Sequence, residues 1–390
     1  MYKTKKNFFL FLFFILNNLF LFSNDIVHFS SIGDIMAHDN LQEYLLSTDN
    51  GYATAFTYTK EYFLDSDFVF ANLEVPINDN LPISGYPQFN AKKELLEAMK
   101  EAGINILSLA NNHAFDKGYE GMTETVKNVK NYEFIFSGVG ENPTESREVV
   151  YFTKNNIKFA FIATTAILNG FNVIEDDNKS FVYLTPLENK KLQALFLDKI
   201  ADAKKNADIV LVSYHSGIEY ANIPDPLQKE VYYSIAEAGA DVILGHHPHV
   251  LQPIEFYKTK DMRNTLIAFS LGNFISAQAR YDFNKKDVYD SIQAKASDGI
   301  ILKFDIVKIE GYVAIINANI IPLYNIRFGV NNYYKKRLIK EGFLTVPIYD
   351  LLFDENRFGL NIDDKMEKLI RYRYGKIKSI VNIDIYKELP

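Results

Sequence analysis

The stretch GADVILGHHPHVLQ, residues 239–252, decides the reading of this chain. A β-branched, apolar run leads directly into three histidines within one tetrapeptide, His246, His247 and His249. Such a run reads as a buried strand, and the histidines after it fall in the loop at its carboxyl end. In open α/β sheets that end is where ligands bind. The same arrangement recurs upstream. IVHFSSIGDIMAH (26–38) carries Asp34 and His38, and DFVFANLE (67–74) carries Asn72 and Glu74. INILSLANNHAFD (104–116) carries Asn111, Asn112, His113 and Asp116, and ADIVLVSYHSGIEY (207–220) carries His215 and Glu219. Six of the seven histidines therefore come just after strand-like runs. His28 stands inside one and reads as a packed strand residue. The pattern predicts one site assembled from several strand-to-loop junctions.

Imidazole, carboxylate and amide oxygen together suit borderline first-row ions such as zinc, manganese or iron. The chain has no cysteine, which excludes thiolate zinc sites, iron–sulfur clusters and a disulfide framework. Single residues keep plainer alternatives. Asp34 could cap a helix, Asn111 could cap a turn, and Glu219 and Tyr220 could be ordinary loop residues. Asn273, in SLGNF, could reach the site or only hold a tight turn beside Gly272.

Hydrophobic residues make up 48% of 390, enough for a substantial core, and the net charge of -7 is mildly acidic. No basic block interleaves with aromatics, so a nucleic-acid surface is not indicated. From Ile26 the chain alternates strand-like and helix-like segments, which predicts an α/β fold. AKKELLEAMKEAG and PLQKEVYYSIAEAGA have helical periodicity and a closing glycine. Asn155-Asn156 separates two strand-like runs, a hairpin signal. The 75–90 stretch, rich in proline and glycine, reads as a long loop. The last strands, TLIAFSLGNF, DGIILKFDIVKI and YVAIINANIIPL, lack helices between them and should pair antiparallel, giving a mixed sheet. After Tyr324 the character shifts to YYKKRLIKEG and DDKMEKLIRYRYGKIKSIV, read as helices of a C-terminal extension, 325–390.

At the start, MYKTKK precedes FFLFLFFILNNLFLF and then SND. A basic segment, an apolar segment and a small polar exit resemble a secretory signal. Residues 1–24 are expected to be either a cleaved signal peptide or a membrane anchor. The main domain, 25–324, then lies outside the cytoplasm, in the periplasm or on the outer face of the membrane.

In order, GDIM (33–36), ANLE (71–74), SLANNHAFDKG (108–118), GVGENP (138–143), SYHSGIEY (213–220), GADVILGHHPHVLQPIE (239–255) and SLGNF (270–274) resemble the CapA family of capsule and poly-γ-glutamate synthesis proteins. Two departures stand out. Ser216 replaces the aromatic of the family's HWG, and AHDN comes after GDIM where LGR is common. The family's domain is similar to the calcineurin-like metallophosphoesterases. The resemblance implies a sandwich of mixed β-sheets flanked by helices, with two divalent ions about 3.5–4 Å apart. It implies Asp34, Glu74, Asn112 and His215 as metal ligands, with Glu74 where related enzymes generally use aspartate. His247 and His249 complete the set, because residues i and i+2 of an extended segment point the same way. His246 is an alternate ligand or a supporting residue. His113 resembles a general acid, and Asp116 could fix its tautomer. His38, Asn72, Glu219 and Asn273 are further candidates.

The implied function is hydrolysis of a phosphate-containing substrate, or a step in the synthesis, export or anchoring of an anionic cell-envelope polymer such as poly-γ-glutamate. Hydrolysis of a γ-glutamyl amide is a third chemistry for the same metals. The alternative from another class is a non-catalytic, metal-binding subunit that holds the polymer or a membrane-bound synthase.

Overall fold

The computed structural model describes residues 25–390 except 170–180, 280–282, 284–285, 329–341, 359–361, 387 and 390. Residues 1–24, the expected signal or anchor, and the helix expected over 333–342, save Gly342 in β14, lie outside the described residues. Among these residues, no helix is long and apolar enough to cross a membrane.

The strands are β1 (Ile26–Ile35), β2 (Phe68–Leu73), β3 (Ile106–Ser108), β4 (Ile135–Ser137), β5 (Val150–Lys154), β6 (Ile157–Thr165), β7 (Ile209–His215) and β8 (Val242–His246). They continue with β9 (Ile254–Lys258), β10 (Asn264–Ala268), β11 (Asn273–Ile275), β12 (Asp298–Ile309), β13 (Tyr312–Phe328), β14 (Gly342–Pro347) and β15 (Asp384–Ile385). One sheet runs β14-β13-β12-β1-β2-β3-β4, with β11 added on β1 and β15 on β13; the other runs β5-β6-β7-β8-β10-β9. Strands β1 to β4 are mutually parallel, as are β6, β7, β8 and β10. Strands β12 and β13 pair antiparallel, as the missing helices predict, and β14 follows them. TLIAFSLGNF does not join them: the short β9 reverses the chain, so β10 lies parallel to β8 in the other sheet, and β11 adds parallel to β1.

The two sheets pack face to face through alternate residues of their strands. Phe29 and Phe68 meet Phe159 at ring distances of 5.7 and 5.8 Å, and Phe70 meets Phe161 at 6.0 Å. Each ring so buried contributes roughly 1.5–3 kcal/mol. The intervening residues Ala160, Ile162, Val210, Val212 and Ile243 face the helices Lys190–Asn206 and Pro226–Ala238. This explains why β6 to β8 read as continuous apolar runs. The second of these helices starts where sequence dictates: Asp225 Oδ1 accepts from the amides of Leu227 and Gln228, and Pro226 takes the first helical position. Asn155 and Asn156 turn the β5–β6 hairpin with φ of 48° and 59°.

Other features depart from the sequence reading. Strand β9, with alternating burial, is not anticipated by it. Strand β13 runs through the boundary placed at 324, and residues beyond it return as β14 at the sheet edge and as β15. The helix Asp364–Val381 then packs Leu369, Ile370 and Ile377 inward, so the C-terminal part shares the main core. His28 is not packed: its side chain is 50% exposed on β1 and its Nδ1 lies 2.6 Å from Asp305 of the neighbouring β12. The apolar residues of β1 alternate around it, and it falls on the solvent face.

Candidate metal centre

Sheet register assembles the site. Asp34 on β1 pairs with Asn72 on β2 and with Asn273 on β11, and His215 on β7 pairs with His246 on β8. The carboxyl ends of parallel strands from both sheets thus meet at one edge of the sandwich. Two glycines permit the close approach. A Cβ on Gly33 would stand 2.0 Å from Gly272 O, and one on Gly245 would stand 2.0 Å from Phe269 O. Any larger residue at either place would push the strand ends apart.

Asp34 is fully buried. Its Oδ1 accepts from Asn72 Nδ2 at 2.8 Å and lies 2.9 Å from His246 Nδ1, and its Oδ2 lies 3.1 Å from His249 Nδ1. It is a strand residue and caps no helix. Asn72 Nδ2 also reaches Glu74 Oε2 at 3.2 Å, so this amide ties the two carboxylates together. His215 Nε2 lies 2.8 Å from Asn112 Oδ1 and 3.6 Å from Glu74 Oε1. Glu74 Oε1 is also 3.8 Å from His249 Nε2. Ligand atoms of Asp34, Glu74 and His215 lie within 4.8 Å of one another, and so do those of Glu219, His247 and His249. The site residues therefore fall into two adjoining groups.

The histidine string differs from expectation in one respect. His247 and His249 have φ of 96° and 56°, so the segment is left-handed at both residues and not extended. The alternation rule used to pair them does not apply. Two tight bends bring both rings inward, with ring centroids 5.9 Å apart and His247 4.9 Å from His215. Non-glycine residues held at positive φ store strain, and such strain clusters at functional sites.

His113 and Asp116 form a buried pair beside these groups, Nδ1 to Oδ2 at 2.7 Å. The same Oδ2 accepts from the Phe89 amide at 2.7 Å. Asn111 turns the loop, its Oδ1 accepting from the His113 amide and its Nδ2 donating to Leu73 O. Asn273 acts as a prop: its Nδ2 donates to His249 O at 3.2 Å, to Gln278 Oε1 and to Ala296 O. His38 stands apart from both ligand groups. Its Nδ1 is 3.2 Å from Met36 O, and its ring meets the Phe89 ring edge-on at 5.0 Å. Phe89 in turn meets His113 edge-on at 4.6 Å. Sequence reasoning missed Phe89 and Gln278. Phe89 sits in the 75–90 loop, where no periodicity marks a wall residue, and Gln278 Nε2 reaches Tyr220 Oη at 3.4 Å only through tertiary packing.

Electrostatically the site lacks a cation. Among the described residues, no lysine or arginine pairs with Asp34 or Glu74. Burial pushes the Glu74 carboxyl well above its usual range, and the carboxylates of Asp34, Glu219 and Asp116 push it further. Burial also raises Asp34, but hydrogen bonds and charge from His246 and His249 outweigh it and hold that carboxyl well below its usual range. Burial keeps His215 neutral, well below its ordinary value, and lowers His247 to about 3 with His249 adding to the effect. Neutral imidazole is the form that ligates a metal. Glu74 Oε1, His246 Nε2 and His247 Nδ1 are buried with no hydrogen-bond partner. Native interiors rarely leave such atoms unpaired, so these donors fit a divalent ion.

Residues 28–278 match the family described as bacterial capsule synthesis protein PGA_cap. The chain is 33% identical over 269 residues to the capsule biosynthesis protein CapA of Bacillus anthracis, covering 65% of this chain and 61% of that protein. It is 32% identical over 263 residues to the PGA biosynthesis protein CapA of Bacillus subtilis, covering 66% and 65%. The chain thus spans somewhat under two thirds of these relatives' length. A calcineurin-like phosphoesterase structure from Bacillus subtilis aligns over 91% of this chain and 99% of that one, at 12% identity with a TM-score of 0.43. With the match running from β1 through the loop after β11, across every strand end that carries a site residue, the chain belongs to the bacterial capsule synthesis protein family PGA_cap.

Proposed function

We propose that this chain is an exported, metal-dependent protein that acts on an anionic cell-envelope polymer through a hydrolase-type site. The observation that carries the reading is that Glu74 Oε1, His246 Nε2 and His247 Nδ1 are buried without hydrogen-bond partners in a site where, among the described residues, no lysine or arginine pairs with Asp34 or Glu74. Asp34, Glu74, His215 and Asn112 would hold one divalent ion, and Glu219, His247 and His249 a second, with His246 in reserve. Manganese, iron and zinc all suit these donors. Bound there, such ions supply Lewis-acid polarisation of a phosphoryl or carbonyl oxygen.

The protein's own groups do the rest. Asp116 accepts from His113 Nδ1 and fixes the ring, so that in the imidazolium form Nε2 bears the proton it would give to a departing oxygen, leaving neutral imidazole behind. Phe89 packs edge-on against the His113 ring and walls this pair on one side. The relatives named for capsule and PGA biosynthesis support a polymer role; the partner we propose is a membrane-bound synthase. The basic and apolar segments before Asp25 support export.

A panel of phosphodiester and γ-glutamyl substrates, assayed with the metal-loaded protein, tests the hydrolytic reading. His113→Ala should keep its metal and lose on the order of 10²–10⁴ in turnover on esters with poor leaving groups, and less on activated aryl esters. Equal loss on both, or loss of metal, contradicts the assignment. Loaded protein without turnover on any member favours the binding-subunit role. N-terminal sequencing and fractionation test export: a start near residues 24–26, or an intact start in the membrane fraction, is expected, and an intact chain in the cytosolic fraction is not.

A further inference from the structure

A second concave feature adjoins the same loops. A cavity of about 360 Å³ is lined by Asn222, Pro253, Asp290, Lys295, Arg373 and Lys376 among others. Two of its walls are continuous with the metal centre. On one, Asn222 Nδ2 donates to Leu251 O at 2.9 Å and Gln252 Nε2 to Ala221 O at 2.7 Å, which ties the loop after Glu219 to the chain after His249. On the other, Asn273 holds both His249 O and Ala296 O, and Ala296 is the neighbour of Lys295. The third wall is the helix Asp364–Val381, to which the sequence assigns no chemistry.

The cavity's charges do not balance. Arg373 is committed: its Nε donates to Asp298 Oδ1 at 3.2 Å, its Nη2 to Asp298 Oδ2, and its Nη1 to Tyr289 O and Asp290 Oδ1. Asp290 also accepts from Tyr372 Oη and lies 4.0 Å from Lys376 Nζ. Lys295 forms no ion pair among the described residues. Three cations, Lys295, Arg373 and Lys376, thus line the cavity against one carboxylate, Asp290; with Asp298 buried behind Arg373, one positive charge is left unmatched among these groups, in a chain whose overall charge is -7. A positive cleft against an acidic background focuses anions.

We infer that this cleft is a subsite for the monoanionic repeat unit of an acidic polymer, with Lys295 and Lys376 as its cationic contacts. The inference rests on the polymer reading above and gives it a direction: the chain would run from the metal centre across the 219–223 loop to the C-terminal helix. One missing negative charge matches a carboxylate or a phosphodiester, the monoanions such polymers repeat.

The test uses the full chain in non-ionic detergent and two fluorescent oligomers, one of γ-linked glutamate and one of glycerol phosphate, with an amidated γ-glutamyl oligomer as the neutral control. Anisotropy should report binding of at least one acidic oligomer and none of the amidated one. Lys295→Ala with Lys376→Ala should weaken binding about tenfold and flatten its salt dependence, while the double Arg variant retains it. The oligomer that binds identifies the anion. Unchanged affinity in the double Ala variant, or no binding of either acidic oligomer, overturns the inference. Metal content of the same samples separates the two readings: metal-free protein with lysine-dependent binding removes only the metal reading, and metal-loaded protein without lysine dependence removes only the subsite.

Discussion

Two groups with buried carboxylates, Asp298 on one side of Asn273 and Asp34 with Glu74 on the other, are balanced differently. Asp298 is fully buried and bonded through both oxygens to Arg373, itself 1% exposed, so this cluster carries its own cation. Asp34 and Glu74 are as deeply buried, but among the described residues they pair with imidazoles and an amide and with no lysine or arginine, and Glu74 Oε1 is left unpartnered. A buried charge persists only when something opposes it. The first cluster is closed by the fold. The second is shaped for an ion that the chain does not encode, and this difference separates a structural pair from a binding site.

The contrast can be broken first at Arg373. Arg373→Met leaves Asp298 buried and alone and should cost about 3–5 kcal/mol of stability by denaturant unfolding, with metal content unchanged. Loss of metal in a folded Arg373→Met protein would show that the clusters are one unit. A smaller effect is pH-dependent. Burial, partly offset by Arg373, raises the Asp298 carboxyl from its ordinary 3.8 to about 6. The folded state therefore holds this proton more tightly than the unfolded chain. The associated stability is present below pH 3.8 and is lost as pH rises to about 6, at most on the order of 3 kcal/mol. Relative to Asp298→Asn, the wild type should lose stability through that window and run parallel above it; parallel curves throughout would contradict the shift. The smallest effect belongs to His28. Its exposed pair with Asp305 should be worth roughly 0–1 kcal/mol, so His28→Ala should change melting little and metal content not at all, unlike any strand-end histidine.

Much of the centre is legible in the sequence because it depends on strand ends. A run that must be buried on both faces shows itself by composition, and the polar residue after it is then placed by the sheet. Asp34, Asn72, Glu74, Asn112, His113 and His215 all obey this rule. The α/β alternation and the antiparallel close of the chain come from the same runs. The illegible part depends on backbone bends and distant packing. Positive φ at His247 and His249 leaves no mark in residue type, so the sequence pairs these rings through an alternation the backbone does not have. Asn273 has a polar side chain like many turn residues, and only tertiary contacts make it the prop of His249. Phe89 closes over His113 from a loop without period. The strands beyond 324 are hidden because short edge strands such as β15 have little pattern of their own.

Elemental analysis of the purified protein, paired with thermal melting before and after chelation, addresses the ion most directly. The wild type should carry one to two equivalents of a divalent first-row metal, and the His215→Ala, His249→Ala double variant should carry little. Stripping should lower wild-type stability by about 3–4 kcal/mol when the ion is present at roughly 100–1,000 times its dissociation constant. The double variant should be insensitive to the chelator. Full metal occupancy in that variant, or a wild type that binds no divalent ion and melts identically with and without chelator, would contradict the metal centre.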